Sequence, residues 1–220
     1  MNLEFTLNDR NCIEYRDNGH QIGIGAVAYI KYVGNLPEYQ NKFVAVTKSE
    51  RNYCSGKMIF PGGMARVENA QDLEKIVSWE DLYPIVKSSL LKRLKLETGL
   101  EEKDFISIKK LSNYYDVPTK YETPVDGKKR ITKILAYEIE TTNHKLIDMD
   151  DDDTVTDPIW LGFDDLKSHL NWARPNLYLL KLLMAKENYD VDLPEIVIKA
   201  MEKAETSFVA PLKQNIMKVR

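Results

Sequence analysis

The chain has 220 residues, enough for one α/β domain with appendages and short for two. Hydrophobic residues make up 43% and charged residues 30%, with 3 Trp, 12 Tyr and 6 Phe, a composition that excludes a disordered tail, a collagen-like fibre and a coiled coil. The 31 basic residues against 34 acidic ones leave a formal net charge of −3, so there is no general basic footprint for duplex nucleic acid.

Only Cys12 and Cys54 are present, without metal-ligand spacing, which fits unpaired thiols in a reducing compartment. Residues 1–10 lack the basic and apolar regions of a secretory signal, and the longest apolar run, 22–30, is far below the ~20 residues that span a bilayer. A soluble cytoplasmic protein with no membrane partner is expected.

In chain order, residues 3–7 alternate like a short edge strand. The runs 22–33 (IGIGAVAYIKYV) and 42–47 (KFVAVT) predict two paired, buried strands. Residues 57–60 predict a third strand that stops at Pro61-Gly62-Gly63, where glycine permits backbone angles closed to other residues. Residues 69–83 fit a short helix and an irregular insertion equally. From Pro84 to Leu96 the stripe Ile85, Val86, Leu90, Leu91 and Leu94 predicts a helix, with Pro84 in its first turn and Gly99 as its stop. Three further strands are predicted at 105–115, 130–139 and 154–160, joined by the turn-rich YETPVDGKK and the acidic DMDDDD. The C-terminal part reads as helices at 164–170, 175–187 and 194–205.

The order of strand, Gly-Gly loop, amphipathic helix ending in Glu97-Thr98-Gly99-Leu100, more strands, and Ile159-Trp160-Leu161 leading into DDLKSHL resembles the Nudix family over about residues 22–170. That family's box is Gly, five residues, Glu, seven residues, then Arg-Glu-U-x-Glu-Glu-x-Gly-U, with U aliphatic. Gly62 and Glu68 satisfy the first spacing, and residues 92–100 occupy the last nine positions. The resemblance implies an α/β/α sandwich with a mixed sheet: a Nudix-like domain at 1–170, with its core at 22–170 and an insertion at about 69–83, carrying a packed C-terminal helical extension at 171–220.

Three departures make the box degenerate. Twenty-three residues separate Glu68 from Lys92 where the family has seven, the Arg-Glu pair has become Lys92-Arg93, and the Glu-Glu pair has become Leu96-Glu97. Positions 93, 96 and 97 stand at i, i+3 and i+4 and share a helix face. Where three carboxylates would clamp Mg²⁺, Arg93, Leu96 and Glu97 sum to zero charge. At ~6 Å and an effective dielectric of about 20, each missing charge unit is worth roughly 2–3 kcal/mol per cation charge.

Two readings follow from the resemblance. In the first, Lys92 and Arg93 take the phosphates of a nucleotide or nucleoside diphosphate derivative directly, beside Gly62 and Gly63, and metal-dependent hydrolysis is weak or lost. In the second, Glu97 stays catalytic and a Mg²⁺ or Mn²⁺ site is rebuilt from Glu97, Glu68 and an acid of the 150–157 stretch, Asp153 or Asp157, giving a phosphoanhydride hydrolase. A third function, RNA binding or protein interaction, is raised by Lys-Arg-Leu-x-x-Glu, which resembles the degenerate box of a subunit of the mRNA cleavage factor; RNA is not the favoured partner.

Each candidate also has a plainer reading. Arg93 and Glu97 at i and i+4 form an ion pair that neutralises the face. Asp150 to Asp153 lack the glycine and spaced ligands of a calcium loop and suit a solvated turn. Tyr114, Tyr115 and Trp172 serve as base-stacking or core residues, and His20, His144 and His169 have no spacing to a nucleophile. The stripe Leu177, Leu180, Leu183 and Met184 suits packing on the sheet or on a second copy, a possible homodimer.

Overall fold

The computed structural model describes residues 4–17, 20–49, 55–68, 70–74, 76–111, 115–118, 131–149, 155–167, 171–188 and 199. Their strands form one mixed sheet: β1 (Phe5–Leu7), β2 (Ile13–Asp17), β3 (His20–Tyr32), β4 (Lys42–Lys48), β5 (Met58–Ile59), β6 (Gly62–Met64), β7 (Phe105–Lys110), β8 (Tyr115–Pro118), β9 (Ile131–Thr141) and β10 (Val155–Gly162). Helices α1 (Trp79–Thr98) and α2 (Arg174–Lys186) cover it.

β3 organises the sheet. One edge runs parallel to β9 from Ile22 opposite Ile131 to Tyr32 opposite Thr141. The other edge is shared in turn by β2, β6 and β4, all antiparallel. A strand buried on both faces reads as a near-continuous apolar run, which accounts for IGIGAVAYIKYV. Side-chain alternation sends Ile22, Ile24, Ala26, Ala28 and Ile30 to one face, where they meet Leu82, Val86, Leu90 and Leu94 of α1. Val27 and Tyr29 point to the other face, where they join Phe43, Phe60 and Leu177, Leu179, Leu180 and Leu183 of α2. The result is the α/β/α sandwich with a mixed sheet that the sequence implies. Lys31 to Glu187 at 2.8 Å and Lys186 to Glu138 at 2.5 Å tie the end of α2 to β3 and β9.

α1 begins five residues before the predicted start. Ser78 accepts the Asp81 N–H and the Asp81 carboxylate accepts the Ser78 N–H, a reciprocal cap, while buried Leu82 anchors the first turn. Pro84 therefore lies inside the helix rather than at its start. Residues 69–83 contain a 3-10 turn at Ala70–Asp72 and the first turn of α1. Gly99 closes the helix at φ +73°, donating its N–H to the Lys95 carbonyl at 2.9 Å.

Other boundaries also move. The Gly62-Gly63 loop is itself paired as β6. The strand predicted at 105–115 ends at Lys110, and β8 pairs separately with the first residues of β9. Residues 164–167 form a 3-10 turn, and the rest of the helix predicted at 164–170 lies outside the described residues. At the sheet edge, the β10 register slips between Thr156 and Ile159, with Asp157 at φ +53° and Pro158 beside it. A bulge and a proline suit an edge strand, because they block pairing with another chain. Cys54, Tyr114, His169, residues 150–154 and, apart from residue 199, the helix predicted at 194–205 lie outside the described residues. Among the described residues, no helix is long and apolar enough to cross a membrane.

Candidate functional site

Glu97, in the last turn of α1, has 0% of its surface exposed. Its Oε2 accepts the Gly62 N–H at 2.7 Å and its Oε1 accepts Arg93 Nε at 2.6 Å. The Gly62 turn reaches Glu97 because it lies directly on β3. Gly62 has φ +135°, and a Cβ there would come within 2.3 Å of the Ala26 carbonyl oxygen and 2.8 Å of Val27 Cα. The neighbouring Pro61 carbonyl accepts the Ala28 N–H at 2.9 Å. Only glycine fits this approach. Gly63, one residue on, is exposed, and a methyl group there would find open space for 4 Å around it.

Burial pushes the Glu97 carboxyl above its ordinary range, and the Arg93 guanidinium, the Gly62 N–H and the charge of Lys48 only partly reverse this. Lys48, at the end of β4, belongs to the electrostatics of the site although no motif or spacing singles it out in the sequence.

On the neighbouring face, Lys92 Nζ donates to Glu68 Oε1 at 2.5 Å, and both side chains are largely exposed. The lysine beside it holds the Glu68 carboxyl below its usual range. The structure thus brings together Gly62, Arg93 and Glu97 as one cluster and Glu68 and Lys92 as an adjoining pair.

Among the described residues, the carboxylates expected as metal ligands do not converge. Glu97 points into the Gly62 turn, Glu68 is turned outward to Lys92, and Asp157 is exposed on the β10 bulge, where it accepts the Thr156 hydroxyl at 3.1 Å. Asp153 lies outside the described residues. Among the described residues, no group of three His, Cys, Asp or Glu could hold a metal ion. A hard divalent cation takes about six or more oxygen ligands. A buried carboxyl with both oxygens engaged and a cation at i−4 does not fit that need.

Leu96, one residue before Glu97 on α1, is 37% exposed. Residues 145–149 run alongside it, with Met149 N–H donating to the Leu96 carbonyl and Ile147 N–H to that of Thr98. Met149 and Ile147 are exposed as well, so the surface around Leu96 is apolar. His144 serves structure: its carbonyl accepts Trp160 Nε1 at 2.8 Å and its ring lies 5.1 Å from that of Tyr39. Trp172 packs in the core against Phe60 and Phe43. His20 and Tyr115 lie in β3 and β8.

The fold and this cluster define a class: a mixed-sheet α/β/α sandwich with a glycine turn locked to the C-terminal glutamate of the following helix. Neither family models nor curated proteins match the sequence. Solved structures that resemble it include a MutT protein from Methanosarcina mazei Go1, at 13% identity and a TM-score of 0.45 over 77% of this chain and 96% of that one. The NUDIX domain of Shewanella oneidensis NrtR complexed with ADP ribose gives 16% identity and a TM-score of 0.47, over 77% and 88%. The bifunctional NMN adenylyltransferase/ADP ribose pyrophosphatase of Francisella tularensis gives 11% and 0.46, over 75% of this chain but 41% of its own length.

Proposed function

We propose that this chain is a divergent Nudix-fold protein that recognises a nucleoside diphosphate-linked ligand through Lys92 and Arg93, with metal-dependent hydrolysis weak or lost. One observation carries the reading: Glu97, the one acid retained at the helical ligand positions, is fully buried, with Gly62 on one oxygen and Arg93 on the other. A carboxyl so engaged orients a turn and a guanidinium. Arginine and lysine then supply the positive charge that a metal would otherwise bring to phosphate oxygens. Hydrolysis requires in addition an activated water, which a metal ion generates by lowering the water's pKa, and among the described residues the acids at the site offer no matching ligand set.

The test pairs binding with turnover. ADP-ribose, nucleoside diphosphates and triphosphates, dinucleotides and capped RNA are titrated in EDTA and in Mg²⁺ or Mn²⁺, and product release is followed by mass spectrometry. Binding is expected to persist in EDTA and to weaken about tenfold or more in Lys92→Glu, since a charge-assisted phosphate contact becomes a repulsion. Metal-dependent release that Glu97→Gln abolishes while leaving the melting temperature unchanged would establish the hydrolase instead. Absence of binding by every nucleotide would also overturn the proposal.

A further inference from the structure

The strand that leads into the glycine turn is short. β5 has only Met58 and Ile59, set against Thr47 and Val46 of β4. Two ladder positions fall below the usual length of a strand, yet the turn that follows places the Gly62 N–H on a buried carboxylate. The other edge of β5 is taken by residues 171–173. The Met58 N–H donates to the Asn171 carbonyl at 2.7 Å, the Ala173 N–H donates to the Met58 carbonyl at 2.9 Å, and Met58 faces Trp172 in a parallel bridge. Two residues before β5, the Gly56 carbonyl accepts Asn171 Nδ2 at 2.7 Å.

Where this backbone pairing ends, a side chain continues it. Asn176, in the first turn of α2, accepts the Phe60 N–H on its Oδ1 at 2.8 Å, across 116 positions of sequence. The start of α2 at Ala173 has no side-chain cap, so Asn176 gives its carboxamide oxygen to another element. Phe60 is fixed through its ring as well, fully buried with its centroid 5.2 Å from that of Trp172.

From Asn176 to the site the connection is continuous. The Phe60 N–H is on Asn176, the Pro61 carbonyl takes the Ala28 N–H of β3, the Gly62 N–H is on Glu97 Oε2, and Glu97 Oε1 takes Arg93 Nε. A shift at Phe60 is carried along two residues of chain to Gly62, where a hydrogen bond of 2.7 Å has about 0.5 Å to lose before it leaves the favourable range. We infer that Asn176 is a positioning residue of the candidate site, setting the reach of the Gly62 turn to Glu97 and, through Glu97, the direction of the Arg93 guanidinium. The inference rests on the nucleotide-linked reading for what Arg93 then binds. Asn176 lies beyond residues 22–170, the stretch that resembles the Nudix family, so the C-terminal segment contributes to the site rather than only packing beneath it.

The test uses the full-length chain with three substitutions. Asn176→Leu keeps a similar shape and loses the acceptor, Asn176→Asp keeps an acceptor oxygen, and Asn171→Ala removes a contact of the same segment at Gly56. In ¹⁵N-labelled protein below its melting temperature, the Gly62 amide and Arg93 Nε–H resonances are expected to move in Asn176→Leu and to stay near their wild-type positions in the other two. ADP-ribose titrated in EDTA is expected to bind about tenfold more weakly to Asn176→Leu, because a misdirected guanidinium gives up its paired contacts with phosphate, and within about twofold of wild type to Asn176→Asp and Asn171→Ala. Should the leucine variant not fold, Asn176→Ala, a helix-favouring change, is read in its place. A role confined to stability would lower the melting temperature and leave both resonances where they are; that result, or failure of the aspartate to restore them, overturns the inference. If ADP-ribose binds wild type and Asn176→Leu equally, the positioning role falls alone. If it binds neither while the two resonances respond as expected, the functional reading falls and the positioning role stands.

Discussion

A methyl group at residue 62 would meet the backbone of β3 at 2.3 Å, whereas one at residue 63 would meet nothing within 4 Å. The two glycines are indistinguishable in sequence, yet they should separate cleanly in a thermal melt. Gly62→Ala is expected to cost at least about 3 kcal/mol, because a strained φ and a backbone clash add. Gly63→Ala should stay within about 0.5 kcal/mol, as surface changes do. Equal losses would mean that the turn does not sit on β3.

Glu97 makes a second prediction at this scale. Glu97→Ala leaves the Gly62 N–H without its acceptor and removes one partner of the Arg93 guanidinium, at a cost of about 1–3 kcal/mol for the orphaned buried donor, measurable by urea denaturation. Glu97→Gln retains an acceptor and should be tolerated better. Burial raises the Glu97 pKa above its unfolded value near 4.5, so the folded state holds the proton more tightly. The associated stability is fully present below pH 4.5 and is lost as pH rises through the folded value. The Gln variant, which cannot ionise, should therefore gain on the wild type as pH increases from 4.5. A stability difference independent of pH would show that Glu97 is not desolvated. Sequence spacing singles out Glu97 and pairs it with Arg93 at i−4; its contact with a glycine 35 positions away requires the folded chain.

At the scale of elements, α1 shows both what periodicity reveals and where it fails. The stripe of Val86, Leu90 and Leu94 is legible because it faces one sheet, and all three side chains are buried. The predicted start falls too late because Pro84 looks like a first-turn residue, whereas the local cap at Ser78 and Asp81 determines where the helix begins. Ser78→Ala should lower stability by about 1 kcal/mol in a denaturant titration, the usual worth of an N-cap hydroxyl. If the helix instead began at Pro84, the substitution would be silent. Proline is accommodated near the exposed N-terminal end, where the adjacent Glu80 carbonyl can turn to water. Asp157 illustrates the converse: its acidity suggests a ligand, and the fold gives it a bulge on an edge strand.

For the molecule as a whole, a single sheet divides two apolar layers, and loss of either helix would expose one of them. The cluster around Glu97 lies where the α1 layer reaches the glycine turn, so the core holds its geometry. Addition of Mg²⁺ or Mn²⁺, or removal of metal by EDTA, should accordingly leave the melting temperature unchanged. A specifically bound ion would raise it by mass action in proportion to the logarithm of metal concentration over its dissociation constant. A metal-dependent rise that Glu97→Gln removes would point back to a rebuilt cation site.

The face that each strand and helix buries is written into the chain itself. Period-two and period-3.6 apolar patterns select which faces are buried, and that choice is local. The zero net charge of the helix face formed by Arg93, Leu96 and Glu97 is equally legible there, since i, i+3 and i+4 neighbours meet in any α-helix. Folding alone establishes that Glu97 is buried against Gly62, that Lys92 is held by Glu68, and that Lys48 adds its charge. Those facts depend on which segments the sheet brings side by side. Register and crossing connections act over tens of residues, beyond the reach of any repeating pattern along the chain.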